Sequence, residues 1–463
     1  MGLAWFQVSL APGVFDGAKG LRDRAFIFDT HLIFGSGILA AHPLFVTLKK
    51  LKGNARGCVY TEPLWGIPFN LYAPYISVYM VALGLNDAQI GLIVSIGLAF
   101  QIVAALFSGV ITDKLGRRKT TLIFDTISWS GAVLIWTISQ NFNYFLVAAV
   151  INSMWRITMN SWTCLLVEDT DPALLVDIYA WIYISGLVAA FFAPIAGLLI
   201  GIFSLVPTMR GLYLLALIMM TAKFILTNLY TTETKVGLTR IGETKHQPVL
   251  SVLVEYKDLF RQLLKTPATL YLMGIMLISG ITNTINNTFW AIYVTQRLQI
   301  PAQFISIYPF VRSMLMLVFF FVVLPRIRSL PFKKPMLIGI LGFMASQVVL
   351  ILVPEKSIGL LLISTVLEAC GMAVLNPQID KLMVLSVDSK ERARINSILY
   401  MVVIIALTPF GWIGGSLSEL NRTYPFMLNI ALFAIGAVLV FFAARSAEAK
   451  ARSDALESAA SLS

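Results

Sequence analysis

The stretch Gly109-Val110-Ile111-Thr112-Asp113-Lys114-Leu115-Gly116-Arg117-Arg118-Lys119-Thr120 packs one carboxylate, four cations and two glycines into twelve positions. An apolar run, 89–111, leads into it, and another, 121–138, follows. A helix crossing the hydrocarbon core of a bilayer needs about 20 apolar residues, because its backbone amides must be satisfied within their own segment. A short charged turn between two such runs is therefore the place where a chain leaves a membrane and turns back into it. Within the turn, Gly109 is expected to permit close helix packing and Gly116 a tight bend. Asp113, with Arg117 and Arg118, is expected to form a charged latch.

Outward from this turn the pattern repeats. Apolar runs occupy approximately 64–84, 89–111, 121–138, 144–167, 175–203, 211–230, 268–296, 303–324, 336–352, 358–384, 394–417 and 424–443. The chain is 58% hydrophobic and 13% charged, against roughly 25% charged residues in soluble domains. The expected fold is an all-α polytopic membrane protein with about twelve transmembrane helices. Lys114, Arg117, Arg118, Lys119, Lys235, Arg240, Lys333, Lys334 and Lys390 all fall in alternate connections, whereas the others hold little beyond Arg210, Arg297, Lys356 and Arg422. Positive charge is retained in the cytoplasm, so both termini are expected there. The same asymmetry accounts for the net charge of +11 as anchoring beside anionic lipid, with no nucleic-acid partner.

The single long internal connection, 231–267, separates six spans from six. It carries Val249, Leu253, Tyr256, Phe260 and Leu263 at helical spacing, which predicts an amphipathic helix at the membrane surface. The expected organisation is an N-terminal extension over 1–61, a six-helix half over 62–230, this linker over 231–267, a second half over 268–443, and a cytoplasmic tail over 444–463. Gly109 and Leu324 close spans two and eight, and Pro194 and Pro409 stand in spans five and eleven; both pairs are separated by the same number of residues. Parallel six-helix halves with a solute site between them are a known transporter plan. Cys58, Cys164 and Cys370 make an odd count with two inside apolar runs, so a disulfide framework is not indicated.

The motif at 109–120 resembles the signature of the major facilitator superfamily: a Gly, an Asp four residues on, then basic-x-Gly-Arg-basic. It stands between spans two and three, where that family carries it, and the resemblance covers about residues 64 to 443. It implies the two-half major facilitator fold and a secondary transporter working by alternating access. It also implies a small-molecule substrate, a monomer and a bacterial cytoplasmic membrane. In that family the motif's Asp and Arg meet partners on neighbouring helices, here Glu168 and Asp169 at the end of span four. The N-terminus of span eleven is a second partner for Asp113. The counterpart in the second half, around Arg328, Pro331 and Phe332, lacks the acidic residue. In span five, Ala193-Pro194-Ile195-Ala196-Gly197-Leu198 only partly resembles the Gly-Pro-x-x-Gly-Gly of proton-linked antiporters.

Ionisable residues inside a span cost roughly 2.5 to 3.5 kcal/mol on insertion scales, so they mark partners or wet cavities. Arg156 lies in the middle of span four and Glu368 near the middle of span ten, at nearly equivalent depths if the halves are related. They are expected to face one another across a central cavity, with Asn152, Asn160 and Thr163 on the face of Arg156; the structural alternative pairs Arg156 with Asp125. Span seven carries a polar stripe of Ser279, Asn283, Asn286, Asn287 and Trp290, and span eight carries Arg312. These residues are the expected substrate or proton pathway, with protons as a coupling partner through Glu368. Lys223, near the end of span six, is expected to snorkel to the surface. No HExxH pair, Gly-x-Ser-x-Gly elbow or phosphate loop occurs, and the three histidines lie outside the runs, so neither an enzyme nor a metal or other cofactor is expected.

Overall fold

In the computed structural model the backbone is described for residues 43–244, 267–323, 333–386 and 392–460, and all of its regular structure is helical. The amphipathic helix expected over 249–265 and the second-half counterpart of the motif lie outside the described residues. Among the described residues eight helices are long and apolar enough to cross a membrane. They are Asp87–Leu115 (span two), Arg117–Ile138 (three), Asp177–Phe203 (five), Leu205–Tyr230 (six), Lys333–Leu352 (nine), Ile358–Ile379 (ten), Leu399–Leu420 (eleven) and Tyr424–Arg445 (twelve). The other four segments are broken or polar. Span one runs through Gly53–Thr61, Pro63–Tyr72 and Ile76–Ala82, span four through Phe142–Asn152 and Trp155–Val167, span seven over Pro267–Ile292, and span eight over Ile307–Val318. Arg156, the asparagines of span seven and Arg312 all fall on these four. The resulting architecture is the major facilitator one, with about twelve spans in two halves.

Span one begins at Gly53, eleven residues earlier than the apolar run suggests, because Cys58, Val59 and Leu51 pack on Trp162, Leu165 and Leu166 of span four. A capping box starts span two: Asn86 Oδ1 accepts from the Gln89 amide at 2.8 Å while Gln89 Oε1 accepts from the Asn86 amide at 3.1 Å. Spans three, seven and eight each widen into a π-helical segment, at Thr126–Gly131, Tyr293–Arg297 and Phe319–Val323. In span three the widened turn leaves the Ser128 carbonyl to a side chain, and the fully buried Asn152 donates to it at 2.9 Å. Asn152 therefore serves helix packing, as does Asn160, whose amide reaches Thr112 Oγ1 of span two at 3.3 Å. The polar face expected around Arg156 is largely interhelical bonding. The first half's core is aromatic: Tyr72, Tyr79, Trp136 and Tyr213 are buried, with the Tyr72 and Tyr213 rings 5.0 Å apart.

The halves touch along two seams. Span two lies on span eleven and span five on span eight, the pairing a repeat of the same plan requires. Both seams bring backbone to backbone at the end of the bundle marked by Asp87. Gly411 approaches Ser95 and Gly91, Gly415 approaches the Asp87 carbonyl, and Gly197 approaches the Gln303 carbonyl. Pro194 and Pro409 each stand three residues or fewer from one of these glycines. The kink-or-packing reading of those fragments thus resolves into close approach, which only a residue without Cβ allows.

Candidate functional site: a charged latch and a polar wall between the halves

At the opposite end, Gly116 adopts φ +86°, a conformation that favours glycine, and turns span two into span three. The turn aims Arg117 inward, where its side chain is 5% exposed. Its guanidinium meets Asp113 at 2.9 Å and both oxygens of Glu168 at 3.1 Å. The latch therefore joins spans two, three and four. Two expected members act differently. Arg118 Nε donates to the Asn228 carbonyl at 2.9 Å instead of to a carboxylate, and Asp169 accepts only from the Lys235 amide at 3.4 Å. Among the described residues nothing makes the close helix contact expected of Gly109: a Cβ there would meet no described atom within 4 Å. For Asp113 the described partner is Arg117, since the side chains at the start of span eleven lie outside the described residues.

The sequence reading missed Glu233 and Thr234. Glu233 accepts from the amides of Arg117 and Arg118 at 2.8 and 3.0 Å, capping the start of span three across more than a hundred residues. Thr234 Oγ1 donates to Glu168. Gly237, at the start of the linker helix Lys235–Thr244, packs against Glu233 and the Arg117 side chain. The only signal was an isolated acid in Thr231-Thr232-Glu233-Thr234-Lys235, just past an apolar span in an otherwise basic connection.

At mid-bundle, Arg156 emerges directly after the break at Ser153 and Met154. Its guanidinium lies 4.9 Å from the Trp155 ring centroid and donates to Met159 Sδ at 3.1 Å, and its Nε is buried without a hydrogen-bond partner. The group of the second half that acts on it electrostatically is Tyr400 of span eleven. Among the described residues no ion pair joins it to Glu368. Among the described residues Glu368 is engaged by Arg312 at 3.7 Å and by Asn286 Nδ2 at 3.3 Å, so the two members of the second half satisfy each other. Asp125 does not pair with Arg156 either.

The span-seven stripe divides. Asn286 is buried and continues inward as a chain of amides: Asn429 Nδ2 donates to Asn286 Oδ1 at 2.9 Å and to Gln347 Oε1 at 3.2 Å. Ser279 is also buried. Asn283 and Trp290 are half-buried and Asn287 is exposed, with Trp290 edge-on to Tyr308 at 4.7 Å. Asn429 and Gln347 gave no sequence signal beyond being amides in apolar runs. Lys223 overturns its expectation: it is 2% exposed and lies 3.5 Å from Glu62. Snorkelling fails because the side chain points into the packed face of span six, towards Trp162 and Phe224.

At the Asp87 end the seam is also polar. Asp87 accepts from Ser418 at 2.7 Å and from Arg422 at 3.3 Å, Asn86 donates to Glu419 at 3.3 Å, and the Trp412 amide donates to Ser95 Oγ at 2.8 Å. On the other seam the Ser306 amide donates to the Tyr75 hydroxyl at 3.3 Å.

Residues 69–427 match the model of the MFS_1 like family. Over 103 residues the chain is 27% identical to the quinolone resistance protein NorA of Staphylococcus aureus (strain MRSA252), which is 22% of this chain and 26% of that protein. The match thus spans about a quarter of the length of the curated relative. Crystal structures of similar fold include the nucleoside transporter NupG, at TM-score 0.63 and 16% identity, covering 85% of this chain and 98% of that one. The POT family transporter PepTSo gives TM-score 0.65 and 12% identity, covering 85% and 98%. Motif, paired halves and family match agree: the chain belongs to the MFS_1 like family and has the fold of the major facilitator transporters.

Proposed function

We propose that this chain is a secondary transporter of a small polar organic solute, moved by rocking its halves about a site between Arg156 and the Arg312–Glu368–Asn286 group. The observation that carries this reading is the unequal charge of the two walls. On the second half, a cation and a carboxylate neutralise each other. On the first half, Arg156 has around it, among the described residues, an aromatic ring, a thioether and the phenol of Tyr400 from span eleven, but no acid. A guanidinium so placed suits a solute that brings its own carboxylate, phosphate or other strong acceptor. The solved neighbours are named for nucleosides and peptides, which are solutes of that polar kind.

Basic residues concentrate at the Arg117 end, which supports assigning it to the cytoplasm, with both termini inside. The seams at the Asp87 end would then close the outer side, and the site would be reached from within. Proton coupling is assigned to Glu368: release of its proton would favour the Arg312 pair, and protonation would free Arg312 for the solute. Outward transport and a bacterial cytoplasmic membrane complete the proposal; the partial match to a resistance protein of a bacterium supports the second.

The test is flux in proteoliposomes under an imposed pH gradient, with nucleosides, short peptides and organic anions as the panel. Arg156→Gln should remove uptake of acceptor-bearing solutes from a folded protein. Glu368→Gln should abolish gradient-driven accumulation while leaving exchange. A folded Glu368→Gln variant that still accumulates solute normally would remove this residue from the coupling route.

A further inference from the structure

A second buried ionic cluster lies inside the first half, away from both seams. Glu62 of span one, Asp125 of span three and Lys223 of span six are 5%, 4% and 2% exposed. Lys223 Nζ is 3.5 Å from Glu62 Oε2, and Asp125 acts electrostatically on both. Cys58 of span one, fully buried, is the other ionisable group facing them; span four contributes Thr158 and the ring of Trp162, 5.6 Å from Nζ. These are the ionisable groups that face the cluster among the described residues.

Two carboxylates and one ammonium leave a net charge of −1 when all are ionised. Among the described residues no other charged group acts on them, and all three side chains are buried. An uncompensated buried charge is unfavourable, so the group neutralises by binding a proton. The hydrogen bonding points the same way. Glu62 Oε2, the oxygen that faces Lys223, is buried without a hydrogen-bond partner. A carboxylate oxygen in that state lacks a donor, whereas protonating it turns an acceptor into an O–H donor and removes that demand.

We propose that Glu62, Asp125 and Lys223 form a one-proton binding site in the first half, the two carboxyl groups sharing a single proton opposite one ammonium. This site is separate from the Glu368 group and does not depend on which solute is carried. It shares span three with the latch: Asp125 lies on the helix that Arg117 begins, and the Thr121 hydroxyl between them is hydrogen-bonded to Ser161 of span four at 2.8 Å.

The proton count is the test, and it requires no substrate. Infrared spectra of the full chain in maltoside micelles, which carry no ester carbonyl, should show a carboxylic-acid band at pH 7. Glu62→Gln and Asp125→Asn should each remove one carboxyl equivalent of that band, because the remaining carboxylate balances Lys223. Lys223→Met should add one equivalent, since both carboxyls are then protonated. Should Lys223→Met fail to fold, dicyclohexylcarbodiimide, which attacks protonated carboxyls in apolar surroundings, provides the second reading by peptide mass spectrometry. It should modify Glu62 or Asp125 in the wild type and neither in the opposite single variant. An unchanged band in folded Glu62→Gln and Asp125→Asn, or absence of carbodiimide modification at both residues, would overturn the proposal.

Discussion

Replacing Gly415 by alanine puts a methyl group where there is no room for one. The added Cβ would stand 2.6 Å from the Asp87 carbonyl oxygen, 3.0 Å from Gly91 Cα and 3.1 Å from Ala88 Cα. All three are backbone atoms, so no rotamer change relieves the clash. Ordinary contact begins at 3.4 Å, which means spans two and eleven must separate by 0.8 Å (3.4 − 2.6). Overpacking of this kind costs about 1–3 kcal/mol, and about 2 kcal/mol moves a two-state equilibrium roughly thirtyfold. The cost falls only on the arrangement in which the Asp87 end is closed. Spin labels at the exposed positions Asn141 and Gln299, on different halves at that end, should therefore report a new, longer distance population in Gly415→Ala. Gly109→Ala is the control: with no atom within 4 Å of its Cβ, it should leave the closed population undiminished. An unchanged distance distribution in Gly415→Ala would refute the seam as the element that sets this equilibrium.

Three further outcomes are expected. Glu168→Gln should lower the melting temperature more than Asp113→Asn, because Glu168 accepts three hydrogen bonds from Arg117 and is 14% exposed against 32% for Asp113; equal losses in a thermal-shift assay would contradict the ranking. Glu233→Gln should weaken the cap on Arg117 and Arg118 by about 0.5–2 kcal/mol, read as earlier proteolysis of the connection between spans two and three. Asn429→Leu leaves Asn286 and Gln347 each short of a donor and should cost about 1–3 kcal/mol; a variant as stable as the wild type in chemical denaturation would show that the amide chain is not a structural support of Glu368.

What could be read without coordinates was whatever repeats or is costly. Twelve apolar runs, a charged turn with two glycines and a polar linker are local patterns, so the architecture was legible. Asp113, Gly116, Arg117 and Glu168 were legible too, since one sequence motif and one membrane side bring them together. Pair identity was not. Arg156 and Glu368 stand at similar depth, but depth says nothing of azimuth, and Arg312, on a neighbouring span of the same half, reaches Glu368 at 3.7 Å. Lys223 was misread for a related reason: a lysine near the end of an apolar run can bend outward or inward, and only the buried Glu62 decides. Glu233 was invisible because its partners are backbone amides, which every sequence contains.

The cap that Glu233 places on span three has a consequence for how the chain is made. Glu233, Thr234 and Gly237 are all docked on first-half residues, so everything needed to close that half has been synthesised by Thr244, before Pro267 opens span seven. Domains of large proteins generally fold as units, N-terminal first, during synthesis. The first half can then complete its fold in the membrane while the second is still on the ribosome, and Glu233 is the residue whose arrival marks that completion.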